Sequence, residues 1–448
     1  MYPHLKYLSL IITTLLISLA SPLPPAETLP GISSSQAQAQ TSQNRKAEAD
    51  SFWERGTKQV DDNQDEAALK SFQQALTIYR EIKDRQGEGK ALKGLGNAYL
   101  DLNDDDNAIA SYQQSLVIAR EIKDRELEGS SLNKLGDAYN DALNEYEKAV
   151  DYQQQSLAIS REIKNRELES DALRDLGNAY YSLKDYQKAI DYHQQAITSA
   201  REIKNRKLEA KALRDVGLDY SGLKDYPKAI DYYQQSLTIA REIKDREQEG
   251  WCLNSLGDAY DNLKDYTKEI DYQQQALSVA REIKNRELEW NALHDTGSAY
   301  FSLKDYPQAI DYYQQALKIA RELKDHAGEG KALANLGNIY HTLHEHPKAI
   351  DFFQQALAIS RQTKKRELEA YVLDSLGNIF YNSNNFQKAL EYYQQALVAA
   401  KESKDQDAQA QTLENMGDTY HYHLNDDQKA LDYYQQALTI AREIKNRD

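Results

Sequence analysis

The chain has 448 residues, of which 28% are charged, with 55 Lys+Arg against 71 Asp+Glu and a formal net charge of −16. This acidity argues against a nucleic-acid-binding protein, whose phosphate contacts need a basic face, and against adsorption to anionic membranes. The single cysteine, Cys252, excludes an intramolecular disulfide and is expected to be a small buried core residue.

Residues 1–39 are predicted to be a secretory signal peptide with its cleavage region. A short n-region with Lys6 precedes an apolar run, Leu8–Ala20, and a segment rich in Pro, Ser, Ala and Gln follows. An apolar run of 13 residues is short for a membrane span, so we expect cleavage, after Ala20 or after Ala39. The protein is therefore predicted to be exported, to the periplasm or the exterior, with residues 40–46 as a polar linker.

Residues 47–448 are predicted to form one repeat array with ten copies, of which the first is an atypical cap. A glycine recurs every 40 residues, apart from a single step of 41 between Gly136 and Gly177. A period in this range indicates a solenoid. The recurring glycines are Gly56, Gly96, Gly136, Gly177, Gly217, Gly257, Gly297, Gly337, Gly377 and Gly417.

Each repeat is predicted to be a hairpin of two helices. Leu173, Leu176 and Tyr180 fall at helical spacing and form one apolar stripe. The polar break 184–186 is long enough for an antiparallel return to a second apolar helix. The small Gly177 is expected to let the two helices approach closely.

The ends of the helices are also marked in the sequence. Prolines at Pro227, Pro307 and Pro347 fit the first turn of a second helix. The Asn or Asp that closes each REIKN or REIKD segment is expected to adopt the left-handed conformation that ends a helix. Two extra residues, in 140–144 and 422–426, are placed in turns, and the charges of AREIKDRELE are interpreted as exposed pairs within helices.

This pattern resembles the tetratricopeptide repeat (TPR), in the 40-residue form of kinesin light chain and of many bacterial multi-TPR proteins. One copy contains Leu95 and Gly96, then Tyr99, Ala108 and Tyr112. The resemblance implies an all-α fold, an α-solenoid in which about ten helix-turn-helix hairpins form a right-handed superhelix. Three copies depart from it, since Gln153, His193 and Gln273 replace the aromatic residue of the second helix.

No motif for catalysis, a cofactor or a metal stands out, so the chain is predicted not to be an enzyme. His341, His344 and His346 lie close together in the sequence but lack a second ligand cluster, and we interpret them as solvated turn residues. The segment 101–107 (DLNDDDN) lacks the glycine and the glutamate of a calcium loop.

In the TPR family the first helices line a concave groove that holds peptides, and the resemblance places this groove beside the repeated glycines. An asparagine amide can donate to and accept from a peptide backbone, and arginine can bind a carboxylate. Arginines and lysines toward the N-terminal end predict a polarised ligand whose acidic part faces repeats two to five. The predicted groove residues are Lys93, Asn97, Asn133, Arg174, Asn178, Arg214, Asn254, Asn338 and Asn378.

The groove positions vary from copy to copy, which favours a face adjusted to an irregular ligand, with drift on a solvated face as the alternative. The predicted function is a non-catalytic scaffold that binds a peptide or a partner protein. No nucleic acid, and no membrane beyond the signal peptide, is expected as a partner. The alternative is a structural module that forms homo-oligomers through the C-terminal repeat, whose outer surface carries no evident cap.

Overall fold

The computed structural model describes residues 34–62 and 64–445, so most of the predicted signal peptide, with Ala20, lies outside the described residues. Within these ranges the chain is helical between short turns and contains no strand. The first helix begins at Ser34, so residues 40–46, predicted as a linker, are helical. Their Gln, Arg and Lys residues favour a helix.

Twenty α-helices, with one turn of π-helix, follow one another along the described chain. None of them combines the length and the apolar composition of a membrane span. Their bounds are α1 Ser34–Asp61, α2 Asp65–Glu81, α3 Arg85–Asp101, α4 Asp105–Ile122, α5 Arg125–Asp141, α6 Tyr146–Ile163, α7 Arg166–Ser182, α8 Tyr186–Glu202, α9 Arg206–Gly222, α10 Tyr226–Glu242, α11 Arg246–Asn262, α12 Tyr266–Ile283, α13 Arg286–Ser302, α14 Tyr306–Leu323, α15 His326–Thr342, α16 His346–Gln362, α17 Arg366–Asn382, α18 Phe386–Glu402, α19 Gln406–Thr419, the π-helix Tyr420–Leu424 and α20 Asp427–Lys445.

Each odd-numbered helix packs against the even-numbered helix that follows it, and we call these the first and second helices of hairpins 1 to 10. The chain divides into two compact units, residues 1–127 and 128–448. Unit 1 holds hairpins 1 and 2. Unit 2 holds hairpins 4 to 10 and most of hairpin 3, and each of its hairpins packs against the next.

The helix ends correct one expectation. The left-handed residue is the lysine before the Asn or Asp: Lys204, for example, has φ 56°. The following Asn205 caps α9 instead, because its side chain accepts a hydrogen bond from the Leu208 amide at 3.1 Å. Lys184 (φ 61°) and Asp185 do the same within a hairpin. The asparagine is thus better used as an N-cap, where its side chain satisfies an otherwise unpaired amide.

The repeated glycine lets the two helices of a hairpin touch. Gly177 lies against the ring of His193, and Gly217 lies against the ring of Tyr233; a Cβ atom at either glycine would collide with that ring. The expected close approach is therefore present. Glutamine fills the same slot in two hairpins, at Gln153 and Gln273.

The extra residue near the C-terminal end is only partly in a loop. Residues Tyr420–Leu424 form one turn of π-helix, which absorbs an additional residue before Asn425 takes a left-handed conformation (φ 51°). Near 140–144 the insertion lies between α5 and α6, as expected.

The charges of AREIKDRELE are not simple exposed pairs. Glu209 is only 4% exposed, and it accepts hydrogen bonds from Arg201 Nε at 2.7 Å and from Arg206 Nη1 at 2.6 Å. Arg206 also bonds Glu242 at 2.5 Å, so this clamp joins consecutive helices. Burial alone would raise the pKa of Glu209, but the two arginines hold it below its usual value. Equivalent clamps surround Glu88, Glu169, Glu249, Glu289 and Glu369.

Candidate functional site

The first helices of unit 2 share one surface. Consecutive first helices contact each other directly, as α7 does with α9 and α11 with α13, whereas pairs of second helices make no comparable contact within the described residues. We call the surface formed by α7, α9, α11, α13, α15, α17 and α19 the first-helix face. It carries all of the predicted groove residues except Asn133 on α5, which lies beside it in unit 2, and Lys93 and Asn97, which lie in unit 1.

Polar pairs join neighbouring first helices across this face. Each pair connects the residue three before one repeated glycine to the residue two before the next, 41 or 42 positions along the chain. The pairs are Asn133–Asp175 (2.8 Å), Arg174–Asp215 (2.9 Å), Asn254–Asp295 (3.2 Å), His294–Asn335 (3.0 Å) and Asp374–Asn415 (3.1 Å). Part of the variation between copies is therefore complementary, because a donor in one hairpin meets an acceptor in the next.

Two positions in this series form no such pair. For Arg214, the residue 41 positions along the chain is Ser255, whose hydroxyl donates to the Trp251 carbonyl oxygen in its own helix. For Ala334 it is Ser375, which bonds the Tyr371 carbonyl oxygen in the same way. Of the two positions, only the one at Arg214 presents a charge.

The two predicted arginines therefore differ in their surroundings. Arg174 is held by Asp215 at 2.9 Å and by Asp175 at 3.4 Å. Burial would lower the pKa of Arg174, but these two carboxylates raise it above its ordinary value. Among the described residues, the ion-pair partner of Arg214 is a distant one, Asp215 at 3.8 Å, and its Nε is buried without a hydrogen bond. Its side chain is 24% exposed.

Four of the predicted asparagines are already hydrogen-bonded within the chain. Asn378 Oδ1 accepts from the Tyr393 hydroxyl at 2.7 Å, and Asn178 Oδ1 lies 3.2 Å from His193 Nε2. In unit 1, Asn97 Oδ1 accepts from the Tyr112 hydroxyl at 2.8 Å. Asn338 Nδ2 donates to the Tyr371 hydroxyl. The sequence predicted that both ends of each amide bind a ligand backbone. In the structure, one end of each of these amides already bonds a residue of the chain.

Two asparagines expected on the exposed side are buried. Asn133 is 5% exposed and Asn254 is 6% exposed, because each amide lies between two first helices and bonds the carboxylate of the next one. The predicted basic character of the N-terminal end is also reduced, since Lys134 bonds Asp137 at 2.9 Å. In unit 1, Lys93 is half-buried.

A buried His–Asp pair, which the sequence reasoning missed, lies beneath this face. His193 Nδ1 contacts Asp219 Oδ2 at 2.7 Å, and Nε2 lies 3.1 Å from the Arg174 carbonyl oxygen. Both nitrogens face oxygen acceptors, so the ring is best satisfied when it carries both protons. Burial lowers the pKa of His193, but the hydrogen bond to Asp219 and the charge of Asp215 raise it above its ordinary value. Asp219 occupies a position that is alanine in hairpins 4, 6 and 7, and this departure was the available signal.

The histidines of hairpin 8 and Cys252, the other residues singled out in the sequence, have neighbours within their own part of the chain. The rings of His341 and His346 lie 5.5 Å apart, and burial together with the neighbouring histidines lowers the pKa of His341. No group of three ligating side chains in the described ranges is arranged to hold a metal ion. Cys252 is buried, as expected, next to the Ser236 hydroxyl at 3.1 Å.

Comparison with models of known protein families shows which family the chain belongs to. The tetratricopeptide repeat model matches six stretches, residues 61–121, 97–162, 127–202, 208–282, 291–362 and 367–443, which span most of the chain. The chain belongs to the tetratricopeptide repeat family. The resemblance seen in the sequence is thereby confirmed, as is the α-solenoid of TPR hairpins. The sequence matches none of the curated proteins with which it was compared.

Several solved structures share the TPR fold at low sequence identity. A signal transduction ATPase with a TPR sensor from Pyrococcus horikoshii is 18% identical, over 75% of this chain and 54% of that one (TM-score 0.55). Aspartyl phosphate phosphatase F from Bacillus subtilis is 18% identical, over 79% and 93% (TM-score 0.52). A Rap protein complexed with competence and sporulation factor is 16% identical, over 81% and 100% (TM-score 0.50). These likenesses concern the fold.

Proposed function

We propose that this TPR protein is a non-catalytic scaffold, exported from the cytoplasm, that binds an extended peptide along the first-helix face of unit 2. Family membership supports an interaction role, and a structure of the same fold contains a Rap protein complexed with competence and sporulation factor. An acidic group of the peptide faces hairpin 5.

The observation that carries this proposal is the unpaired position at Arg214. The neighbouring pairs of first helices on either side are closed by hydrogen bonds, whereas the guanidinium of Arg214 retains a buried Nε without an acceptor. A buried donor without a partner costs roughly 1–3 kcal/mol. A carboxylate from a ligand would satisfy it with a charge-assisted hydrogen bond.

Two further features suit a peptide. Leu218 lies one turn after Arg214 on α9 and is half-buried, so it offers an apolar contact beside the charge. The Nδ2 group of Asn178 has no partner within the described part of the chain, and it can donate to a peptide carbonyl while Oδ1 remains bound to the second helix.

The test uses a randomised 12-residue peptide library displayed on phage and selected against the whole chain. We expect the recovered peptides to be enriched in Asp or Glu, and Arg214→Gln to weaken their binding in calorimetry at least tenfold while the melting temperature stays unchanged. Arg174→Gln is the matched control: it should lower the melting temperature, because Asp215 is buried and loses its partner, yet change affinity only a few-fold. Equal binding by the Arg214→Gln variant would contradict the assignment.

Self-association through hairpin 10 is the second candidate, and one observation favours it. Leu431 and Leu438 on α20 are each 50% exposed, whereas the matching Leu390 of hairpin 9 is 3% exposed. Sedimentation velocity of the whole chain tests it. Association that disappears in the Leu431→Glu and Leu438→Glu double variant supports this candidate, and a concentration-independent monomer contradicts it.

A further inference from the structure

Asn178, on the first-helix face, contacts a buried side chain whose protonation depends on pH. His193 is 1% exposed, and its Nε2 lies 3.2 Å from Asn178 Oδ1 and 3.1 Å from the Arg174 carbonyl oxygen. Its Nδ1 lies 2.7 Å from Asp219 Oδ2. Nε2 therefore faces two oxygens, one of which belongs to the half-buried amide that we assign to the peptide site.

Other hairpins hold the equivalent side chain of the first helix with a group that keeps its protons. In hairpins 2, 9 and 10, a tyrosine hydroxyl of the second helix donates to the side-chain oxygen one position after the repeated glycine, at 2.6–2.8 Å. In hairpins 3 and 6, a glutamine amide donates to this oxygen, at 2.9 and 3.1 Å. Imidazole is the group of the three that titrates near neutral pH, and it occupies the slot in hairpin 4.

The surroundings of His193 determine which of its nitrogens loses a proton. The charged groups that face the ring are Asp219 and Asp215 on α9 and Arg174 on α7. Tyr181, also on α7, faces Asp219. The Nδ1 proton is bonded to a carboxylate, whereas the oxygens next to Nε2 belong to a backbone carbonyl and an amide, both neutral. A hydrogen bond to a carboxylate is the stronger one, so Nε2 loses its proton first.

Loss of this proton turns the Asn178 amide. Deprotonated Nε2 is an acceptor, so its lone pair faces that of Asn178 Oδ1 at 3.2 Å. Rotation of the amide by half a turn removes this conflict, because Nδ2 then donates to Nε2. The same rotation brings Oδ1 to the side of the amide that faces the groove. The amide thus offers a donor there when His193 carries two protons, and an acceptor when it carries one.

We propose that His193 is a positioning residue of the peptide site, which selects the end of the Asn178 amide that faces the ligand. This inference rests on the proposed peptide binding and assigns its regulation by pH. With two protons on His193, Asn178 donates to a carbonyl oxygen of the peptide. With one proton, the amide oxygen of Asn178 meets that carbonyl and repels it. Affinity for the peptide therefore falls as the pH rises.

The pH range follows from the surroundings of the ring. Burial lowers the pKa of His193, but the hydrogen bond to Asp219 and the charge of Asp215 raise it above its ordinary value of 6.5. His193 is therefore doubly protonated at pH 6, and the second proton is lost at a pH above the ordinary value. Measurements at pH 6 and pH 9 compare the two forms.

Calorimetry on the whole chain tests the proposal, with a peptide recovered from the randomised library at pH 6. The peptide is N-acetylated and lacks His, Cys, Tyr and Lys, so its own charge is constant over this range. We expect wild-type affinity to fall about threefold or more between pH 6 and pH 9, the effect of one hydrogen bond. His193→Gln should bind equally at both pH values, because a glutamine in this slot donates at either pH, as Gln153 does to Asp137.

Two further variants distinguish positioning from a purely structural role. Asn178→Ala removes the amide, so it should bind at pH 6 about as weakly as the wild-type chain does at pH 9, and its affinity should be independent of pH. Asn378→Ala changes the same position in hairpin 9, where the Tyr393 hydroxyl is the partner, and should keep the wild-type pH dependence. A histidine that only stabilises the fold would change the melting temperature with pH in the absence of peptide, and leave the affinity constant.

Nitrogen NMR of the whole chain labelled with ¹⁵N-histidine gives a readout without ligand. The signals absent from His193→Gln identify this residue. We expect Nε2 to lose its proton between pH 6 and pH 9 while Nδ1 keeps its own. Loss from Nδ1 instead, or no change at either nitrogen, would overturn the proposal, because Nε2 would then donate to Asn178 throughout.

The outcomes separate this inference from the proposed function. If the recovered peptides lose affinity with Arg214→Gln, but the wild-type chain and His193→Gln show the same pH profile of affinity, the function stands and the role of His193 is wrong. If no peptide is recovered, both are wrong. A fall in affinity that is present in the wild-type chain and absent from His193→Gln and Asn178→Ala supports both.

Discussion

Three buried ionisable side chains depart from the apolar or aromatic residues that most hairpins place at the same positions: His193, Asp219 and Glu269. His193 and Asp219 satisfy each other across hairpins 4 and 5, at 2.7 Å, so this departure is compensated within the chain. Glu269 is paired with a second carboxyl, since it shares a hydrogen bond with Asp261, and burial raises its pKa to about 9. A buried ionisable residue in an apolar position therefore has a different effect in the two places, and the effect depends on which residue it pairs with.

The His193–Asp219 pair predicts a pH dependence of stability. The pKa of His193 is raised in the folded chain, so its contribution to stability is full below the ordinary value of 6.5 and is lost as the pH rises through the folded value. The charged groups that face the ring are Asp219, Asp215 and Arg174. We expect the melting temperature to fall by about 2 °C between pH 6 and pH 9 on this account.

Circular dichroism at 222 nm measures this change, and His193→Gln is the matched variant. Glutamine occupies the slot naturally in hairpin 3, where Gln153 donates to the Asn133 carbonyl oxygen at 3.0 Å. The variant should fold and should lack this part of the pH dependence. A wild-type chain and a variant with parallel pH profiles would show that His193 keeps one protonation state throughout.

At the scale of elements, the same turn is used within hairpins and between them. A residue in the left-handed conformation is followed by a residue that caps the next helix, as with Lys184 and Asp185 and again with Lys204 and Asn205. Helices of 17 or 18 residues alternate with these turns through most of the chain. The 40-residue sequence repeat is thus built from two backbone units of similar length, whose side chains differ.

Lysine in the left-handed conformation predicts a stabilising substitution. Lys204 is exposed with φ 56°, and a non-glycine residue pays about 1 kcal/mol for this conformation. Lys204→Gly should raise the free energy of unfolding by ~0.5 kcal/mol, since the greater entropy of glycine in the unfolded chain offsets part of the gain. Urea unfolding checks it, with Lys207→Gly, within α9, as a control that should lose stability. A loss at Lys204 would indicate that its side chain contributes more than its backbone costs.

At the scale of the whole molecule, a single construction recurs in both units: a nearly buried glutamate between two arginines. Glu88 in unit 1 and Glu209 in unit 2 have the same partners in the same geometry. Because the contribution of each repeat to stability is approximately additive in such arrays, a small effect at one clamp is multiplied along the chain.

The clamps predict loss of stability in acid. The pKa of Glu209 is lowered, so its contribution is present above the ordinary value of 4.5 and is lost as the pH falls through the folded value. Wild-type melting temperatures should therefore decline steeply from pH 5 to pH 3. Glu209→Gln should cost ~1 kcal/mol at pH 7, in the range of partly exposed pairs, and little at pH 3.

This prediction has its own control. Glu242 takes part in the same clamp but is exposed, so Glu242→Gln should cost less than half as much at pH 7. Equal effects of the two substitutions, or an effect of Glu209→Gln that persists at pH 3, would contradict the role assigned to the buried glutamate.

The sequence alone determined the family and the helical hairpin, because a period of 40 residues and its apolar stripes are local properties of the chain. It also correctly placed Gly177 at a close contact between helices. Its interpretation of AREIKDRELE as pairs within helices holds for Arg206 and Glu209, which both lie on α9. It missed Arg201 on α8 and the burial of Glu209, because charge spacing within one helix does not show a partner on another.

The tertiary structure decided which of the predicted groove residues remain available. Arg174 and Arg214 occupy equivalent positions and look alike in sequence, but the residue 41 positions on is Asp215 for the first, which bonds it, and Ser255 for the second, which bonds its own helix. Arg174 and Asp215 are 41 residues apart, and they meet only because hairpins stack with a fixed offset. Stacking likewise brings Asn254 of hairpin 6 against Asp295 of hairpin 7, at 3.2 Å, a contact that has no signature within either repeat alone.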